Sequence, residues 1–93
     1  MQIEITQADI KGATGGNSND PLARALNRIT GKAWHTEVFS RGAAMANGQA
    51  WCVSQNATQE EADGLFIDAG TTRALVAYED SGLFEPRIAT VGA

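Results

Sequence analysis

Polar and apolar residues alternate from Gln2 to Ile5, with Ile3 and Ile5 on one side, which predicts a short strand. Thr6 can cap a single helical turn through Ile10, with Asp9 at the third position, the end of a helix that favours an acid. Gly12 breaks that turn, and three glycines and two asparagines make residues 12–20 a loop. Asp20-Pro21 is a strong helix start, because Asp caps free N–H groups and Pro suits the first helical position. Leu22, Ala25, Leu26 and Ile29 then recur at helical spacing and Gly31 stops the run, predicting a helix over 21–30.

Residues 33–39 and 49–54 carry the aromatic and β-branched content of strands, with a small-residue loop from Ser40 to Gly48 between them. An antiparallel hairpin with Val38 near Trp51 and Thr36 near Val53 puts Trp34, Val38, Trp51 and Val53 on a core face. His35, Glu37 and Cys52 then share the opposite face, and a slip of one residue reverses the assignment. Residues 55–63 are polar and read as a loop or one turn. Gly64 to Asp68 reads as a further strand. A second helix opens at Thr71 or Thr72, buries Leu75, Val76 and Tyr78, and closes at Gly82. A hairpin of strands 72–79 and 83–91 around Asp80-Ser81-Gly82 fits the same residues. Pro86 places the last strand, about 84–90, at a sheet edge. Together these elements predict one α+β domain over residues 1–93, an antiparallel sheet of about four strands with two helices.

Composition narrows the function classes. The chain has 93 residues, 43% hydrophobic and 19% charged, enough for a modest core. Its formal net charge of −4 argues against non-specific attachment to duplex phosphate or anionic lipid. The first residues lack a basic stretch followed by an apolar run, and no apolar run approaches the ~20 residues of a membrane span. A lone cysteine, Cys52, permits no internal disulfide and suits a reducing compartment. The expectation is a soluble cytoplasmic protein without a membrane partner.

Charge is unevenly spread. Residues 54–86 hold seven acids, Glu60, Glu61, Asp63, Asp68, Glu79, Asp80 and Glu85, against one base, Arg73. Residues 1–53 hold four acids and five bases. The basic residues Arg24, Arg28 and Lys32 fall at spacings of four, a stripe that with the 12–20 loop suggests an alternative nucleotide or nucleic-acid contact. That loop ends Asn-Asp-Pro and lacks the Gly-Lys-Ser/Thr of a phosphate-binding loop. His35-Thr36-Glu37 is half of a zinc deaminase pattern whose Cys-x-x-Cys half is missing, so no metal or other cofactor is expected. Cys52 with His35 is a remote nucleophile–base pair, and the bland reading is a buried thiol. The expectation is a protein that is not an enzyme.

The stretch Asp9-Ile10, then Pro21-Leu22-Ala23-Arg24-Ala25-Leu26, and the ending Ala77-Tyr78, Asp80-Ser81-Gly82 and Glu85-Pro86 resemble short proteins of phages and prophages. Where that group often carries cysteines before the proline, this chain has Asn17 to Asp20, so no cysteine-based role carries over. The resemblance implies a helix over 72–81 and a phage-like origin, and implies no reaction. Taken with the charge map, it leads to a non-enzymatic interaction protein. Its surface of Glu60, Glu61, Asp63, Asp68, Glu79, Asp80 and Glu85 is expected to bind a basic patch on a host protein complex, as an inhibitor of bacterial defence similar to anti-CRISPR proteins. A homodimer through an exposed edge strand is compatible with this size.

Overall fold

Ile3 and Ile5 are fully buried while Gln2 and Glu4 are exposed, and this alternation builds strand β1 (Gln2–Ile5). The computed structural model describes residues 1–14, 19–37, 51–54 and 65–92. Helix α1 (Gln7–Lys11) opens on a capping box. The Asp9 backbone N–H donates to Thr6 Oγ1, and the Thr6 N–H donates back to Asp9 Oδ2 at 2.9 Å. Helix α2 (Pro21–Thr30) begins at Asp20, whose Oδ1 accepts from the Ala23 N–H at 2.7 Å, and ends at Gly31 in the left-handed conformation, φ 73°. Helix α2 starts and stops where the sequence predicts, and α1 runs one residue past the expected Ile10.

Strands β2 (Trp34–Glu37), β3 (Trp51–Ser54) and β4 (Leu65–Ile67) follow, then helix α3 (Ala69–Ser81) and strand β5 (Arg87–Gly92). All pairings are antiparallel, in the order β1-β5-β4-β3-β2. The class is α+β as expected, with corrections to the count: the described residues form five strands and three helices.

The last strand also differs from expectation. It runs between β1 and β4 and not along an edge. Pro86 stands one residue before β5, so its missing N–H removes no rung of the ladder, and Ala89 and Val91 can sit in the core. Residues 72–79 are helical, which sets aside the hairpin alternative. The helix starts earlier than Thr71 because Asp68 caps it, and Thr71 and Thr72 become buried first-turn residues.

The β2–β3 register is one residue away from the expected one. Thr36 pairs with Cys52 and His35 with Val53, so Cys52 shares a row with Thr36, not with His35 or Glu37. Contacts to α2 hold β2 in place. The Trp34 N–H donates to Asn27 Oδ1 at 2.7 Å, its indole N–H to Thr30 Oγ1 at 2.7 Å, and the Thr36 hydroxyl to Asp20 Oδ2. Trp34 and Thr36 thereby face inward together. Val38 and the expected loops at 40–48 and 55–63 lie outside the described residues.

The core is one layer between sheet and helices. Ile3, Ile5, Trp34, Ile67, Ala89 and Val91 from the strands meet Leu22, Ala25 and Leu26 of α2 and Leu75 of α3. On the other face the described residues of β1 and β5, Gln2, Glu4, Ile88 and Thr90, are exposed.

Candidate functional site

Helix α3 ends sharply. Gly82 takes the left-handed conformation, φ 71°, and its N–H donates to the Tyr78 carbonyl at 2.8 Å. The Ser81 hydroxyl donates to the Ala77 carbonyl at 2.7 Å and accepts from the Leu83 N–H at 3.1 Å. This cap turns the chain back, so that Phe84 packs against the core and meets Tyr78 edge to face, with ring centres 6.1 Å apart. Leu83 is left 75% exposed at the apex.

Glu79 and Asp80 occupy the last turn of α3 and Glu85 the segment after it, all three exposed. No base lies in that last turn. The unpaired carbonyls at a helix C-terminus carry partial negative charge, so this end is negative from backbone and side chains together. Consecutive helical residues point about 100° apart, so the two acids leave the axis in different directions. Asp80 follows Ala77 by one turn, whereas the charge of Glu79 is felt at Asp20, at the start of α2.

Asp68 lies at the opposite end of α3, roughly 18 Å along the axis from Asp80 at 1.5 Å per residue. Its Oδ2 accepts from the Thr71 N–H at 3.0 Å, its Oδ1 from the Thr90 N–H at 2.8 Å, and Arg87 stands 3.8 Å away. Burial alone would push this carboxyl up. The hydrogen bonds from Thr90 and Thr71 and the charge of Arg87 outweigh it and hold the group below its ordinary range. Asp68 therefore clasps α3 to β5. Of the seven acids, the structure brings Glu79, Asp80 and Glu85 to one end of α3 and sets Asp68 at the other, while Glu60, Glu61 and Asp63 lie outside the described residues.

The basic stripe is divided by internal bonds. Arg24 Nη1 donates to Asn19 Oδ1 at 3.0 Å, and its guanidinium lies where a side chain on Gly12 would collide with it. Arg28 donates to both oxygens of Asp9, at 3.2 and 3.0 Å, and to the Glu4 carbonyl at 2.8 Å. Lys32 is exposed beyond the cap of α2. The exposed Leu83 lies in the capping loop that follows α3, outside the helical periodicity, and its one trace in the sequence is an apolar residue directly after a glycine stop.

Among the described residues no group of three His, Cys, Asp or Glu side chains is placed to hold a metal ion, and no helix is long and apolar enough to cross a membrane. No family model, no curated protein and no solved structure matches this chain.

Proposed function

We propose that this chain is a non-enzymatic interaction protein whose acidic surface at the end of α3 engages a basic patch on a host protein complex. One observation carries the reading: Glu79 and Asp80 stand exposed on the last turn of α3, where the helix end disfavours acids, with no base in that turn to offset them. Acids in that position typically cost a helix about 0.3 to 1 kcal/mol. Binding to a positively charged partner gives that cost a use, because paired charge speeds encounter and fixes orientation. Glu85 adds to the same end, and Glu60, Glu61 and Asp63 join the proposal from the sequence.

The form of partner we favour is a complex that itself binds nucleic acid, in the cytoplasm of a bacterial host. Carboxylates present negative charge to the same Lys and Arg side chains that phosphates would meet. The likeness of Pro21-Leu22-Ala23-Arg24-Ala25-Leu26 and Asp80-Ser81-Gly82 to phage-encoded proteins points the same way, toward an inhibitor of bacterial defence that works as anti-CRISPR proteins do. The alternative, nucleotide or nucleic-acid binding through the 12–20 loop with Arg24, Arg28 and Lys32, has less behind it, since Arg24 and Arg28 already serve internal acceptors.

A plaque assay tests the reading. Bacteria with an active RNA-guided defence against a chosen phage express either the wild-type chain or Glu79→Lys/Asp80→Lys/Glu85→Lys. Plaquing restored by the wild type and not by the variant supports it. Equal plaquing with both, or none with either, contradicts it.

A further inference from the structure

The turn after α3 leaves an open groove of roughly 300 Å³ on the protein surface. Its floor is apolar: Ala74 and Ala77 from α3, with Leu83, Phe84 and Pro86 from the segment that folds back. Glu85 and Arg87 line its polar margin. Arg87 faces Asp68 at 3.8 Å and its Nη1 donates to the Gly70 carbonyl at 3.1 Å, so its charge is turned toward α3. Asp80 lies one helical turn beyond Ala77, on the same flank as the groove. Glu85 thus lines the apolar floor with no ion-pair partner among the described residues, and Asp80 stands just beyond the lining, one helical turn past Ala77. Arg73 is the nearest further cation on the helix, about 10 Å up the axis from Asp80.

Leu83 is the unusual member. At 75% it is the most exposed of the large apolar residues among those described, yet its backbone is fixed by the Ser81 and Gly82 cap. A rigid, exposed Leu beside a preformed apolar trough fits the centre of a contact surface, with charged groups at the rim.

We infer that this groove receives a basic peptide segment of the partner, with one large apolar side chain seated between Leu83 and the Ala74–Ala77 face and flanking Lys or Arg residues paired to Asp80 and Glu85. This rests on the acidic-surface reading and adds to it: charge brings the partner in, and the groove selects a segment with an apolar anchor. Glu79, on the far flank of the helix, contributes to the long-range field and not to the groove.

The test uses the full chain and two labelled synthetic peptides of equal positive charge, one carrying a central Leu or Phe and one with Gly in its place. Fluorescence anisotropy at low and moderate salt reads binding. The anchored peptide is expected to bind the wild type about tenfold or more tighter than the Gly peptide, and Leu83→Asp is expected to remove that preference. Leu83 is solvent-facing, so the variant should melt with the wild type, which circular dichroism verifies. Amide shifts on titration should centre on Ala74, Ala77 and Phe84. Equal binding of the two peptides, with loss on Asp80→Lys/Glu85→Lys, overturns the groove and leaves the acidic-surface reading standing. Anchored binding that survives Asp80→Lys/Glu85→Lys overturns the charged rim instead. Absence of binding by either peptide overturns the inference outright.

Discussion

Arg28 grips both carboxylate oxygens of Asp9, Nε at 3.2 Å from Oδ1 and Nη2 at 3.0 Å from Oδ2. Asp9 is only 5% exposed and also closes the capping box of α1 with Thr6, so one carboxylate joins α1 to α2 and caps a helix at once. Arg28 is half exposed on the outward face, as the spacing of bases predicts, and staples the two helices from there.

The Asp9 carboxyl should make the fold acid-sensitive. Burial pushes it up, but the bonds from Arg28 and Thr6 outweigh this and hold it below its ordinary value of 3.8. A depressed value means a stabilising contribution that is present above pH 3.8 and lost as pH falls through the folded-state value. Asp9→Ala is expected to cost about 1 to 2 kcal/mol at neutral pH by urea unfolding. It should also flatten the fall in stability below about pH 4. An unchanged acid limb in the variant would show that other groups control it.

Asp20 works in the opposite sense. It is buried at the start of α2, and burial raises its carboxyl despite the bonds from Ala23 and Thr36, with the Glu79 charge adding to the rise. Its contribution is therefore full below the ordinary aspartate value and declines as pH rises through the folded-state value. Asparagine caps nearly as well without a buried charge. Asp20→Asn should thus be at least as stable as the wild type at pH 7. Asp20→Ala should lose about 1 to 2 kcal/mol, because it removes the cap and one acceptor of the Thr36 hydroxyl. Thermal melts of the two variants separate these outcomes.

Asp68 should report on the docking of α3 to β5. Asp68→Ala removes the acceptor for both Thr71 and Thr90 N–H groups. The expected result is a loss of about 1 to 2 kcal/mol, with faster hydrogen exchange at the Thr71 and Thr90 amides. Exchange unchanged at Thr90 would show that this bond does not tie the strand to the helix. The Asp68 carboxyl is held low, so this contribution too is lost on acidification.

Gly82 sets the geometry of the proposed site. At φ 71° a side chain is strained even though nothing lies within 4 Å of a Cβ built there. Gly82→Ala should cost about 1 kcal/mol in chemical denaturation. A neutral result would mean that the left-handed turn relaxes without penalty.

What could be read from the sequence was what short-range chemistry determines. Thr6 with Asp9, Asp20-Pro21 with Gly31, and Gly82 are caps, and each acts on N–H or C=O groups within a few residues. The β2–β3 register was not legible, because the Thr36 hydroxyl is held by Asp20, sixteen residues earlier, a link that the strand's own sequence does not show. Nor was the place of the last strand, since pairing residues 2–5 with 87–90 joins the two ends of the chain and leaves no local trace. In the candidate site, the sequence picked out Glu79, Asp80 and Glu85 as acids but could not see that Asp68 spends its oxygens internally. Leu83 and the groove escaped because they arise from how the chain folds back over Ala74 and Ala77.

Affinity capture from a bacterial extract, comparing the wild-type chain with Glu79→Lys/Asp80→Lys/Glu85→Lys, puts the proposed surface to its most direct trial. The account predicts one discrete host complex with a basic surface, retained by the wild type, weakened as salt rises and missing from the variant although the variant remains folded. The same proteins held by both chains, or none held above a bare-resin control, would contradict it.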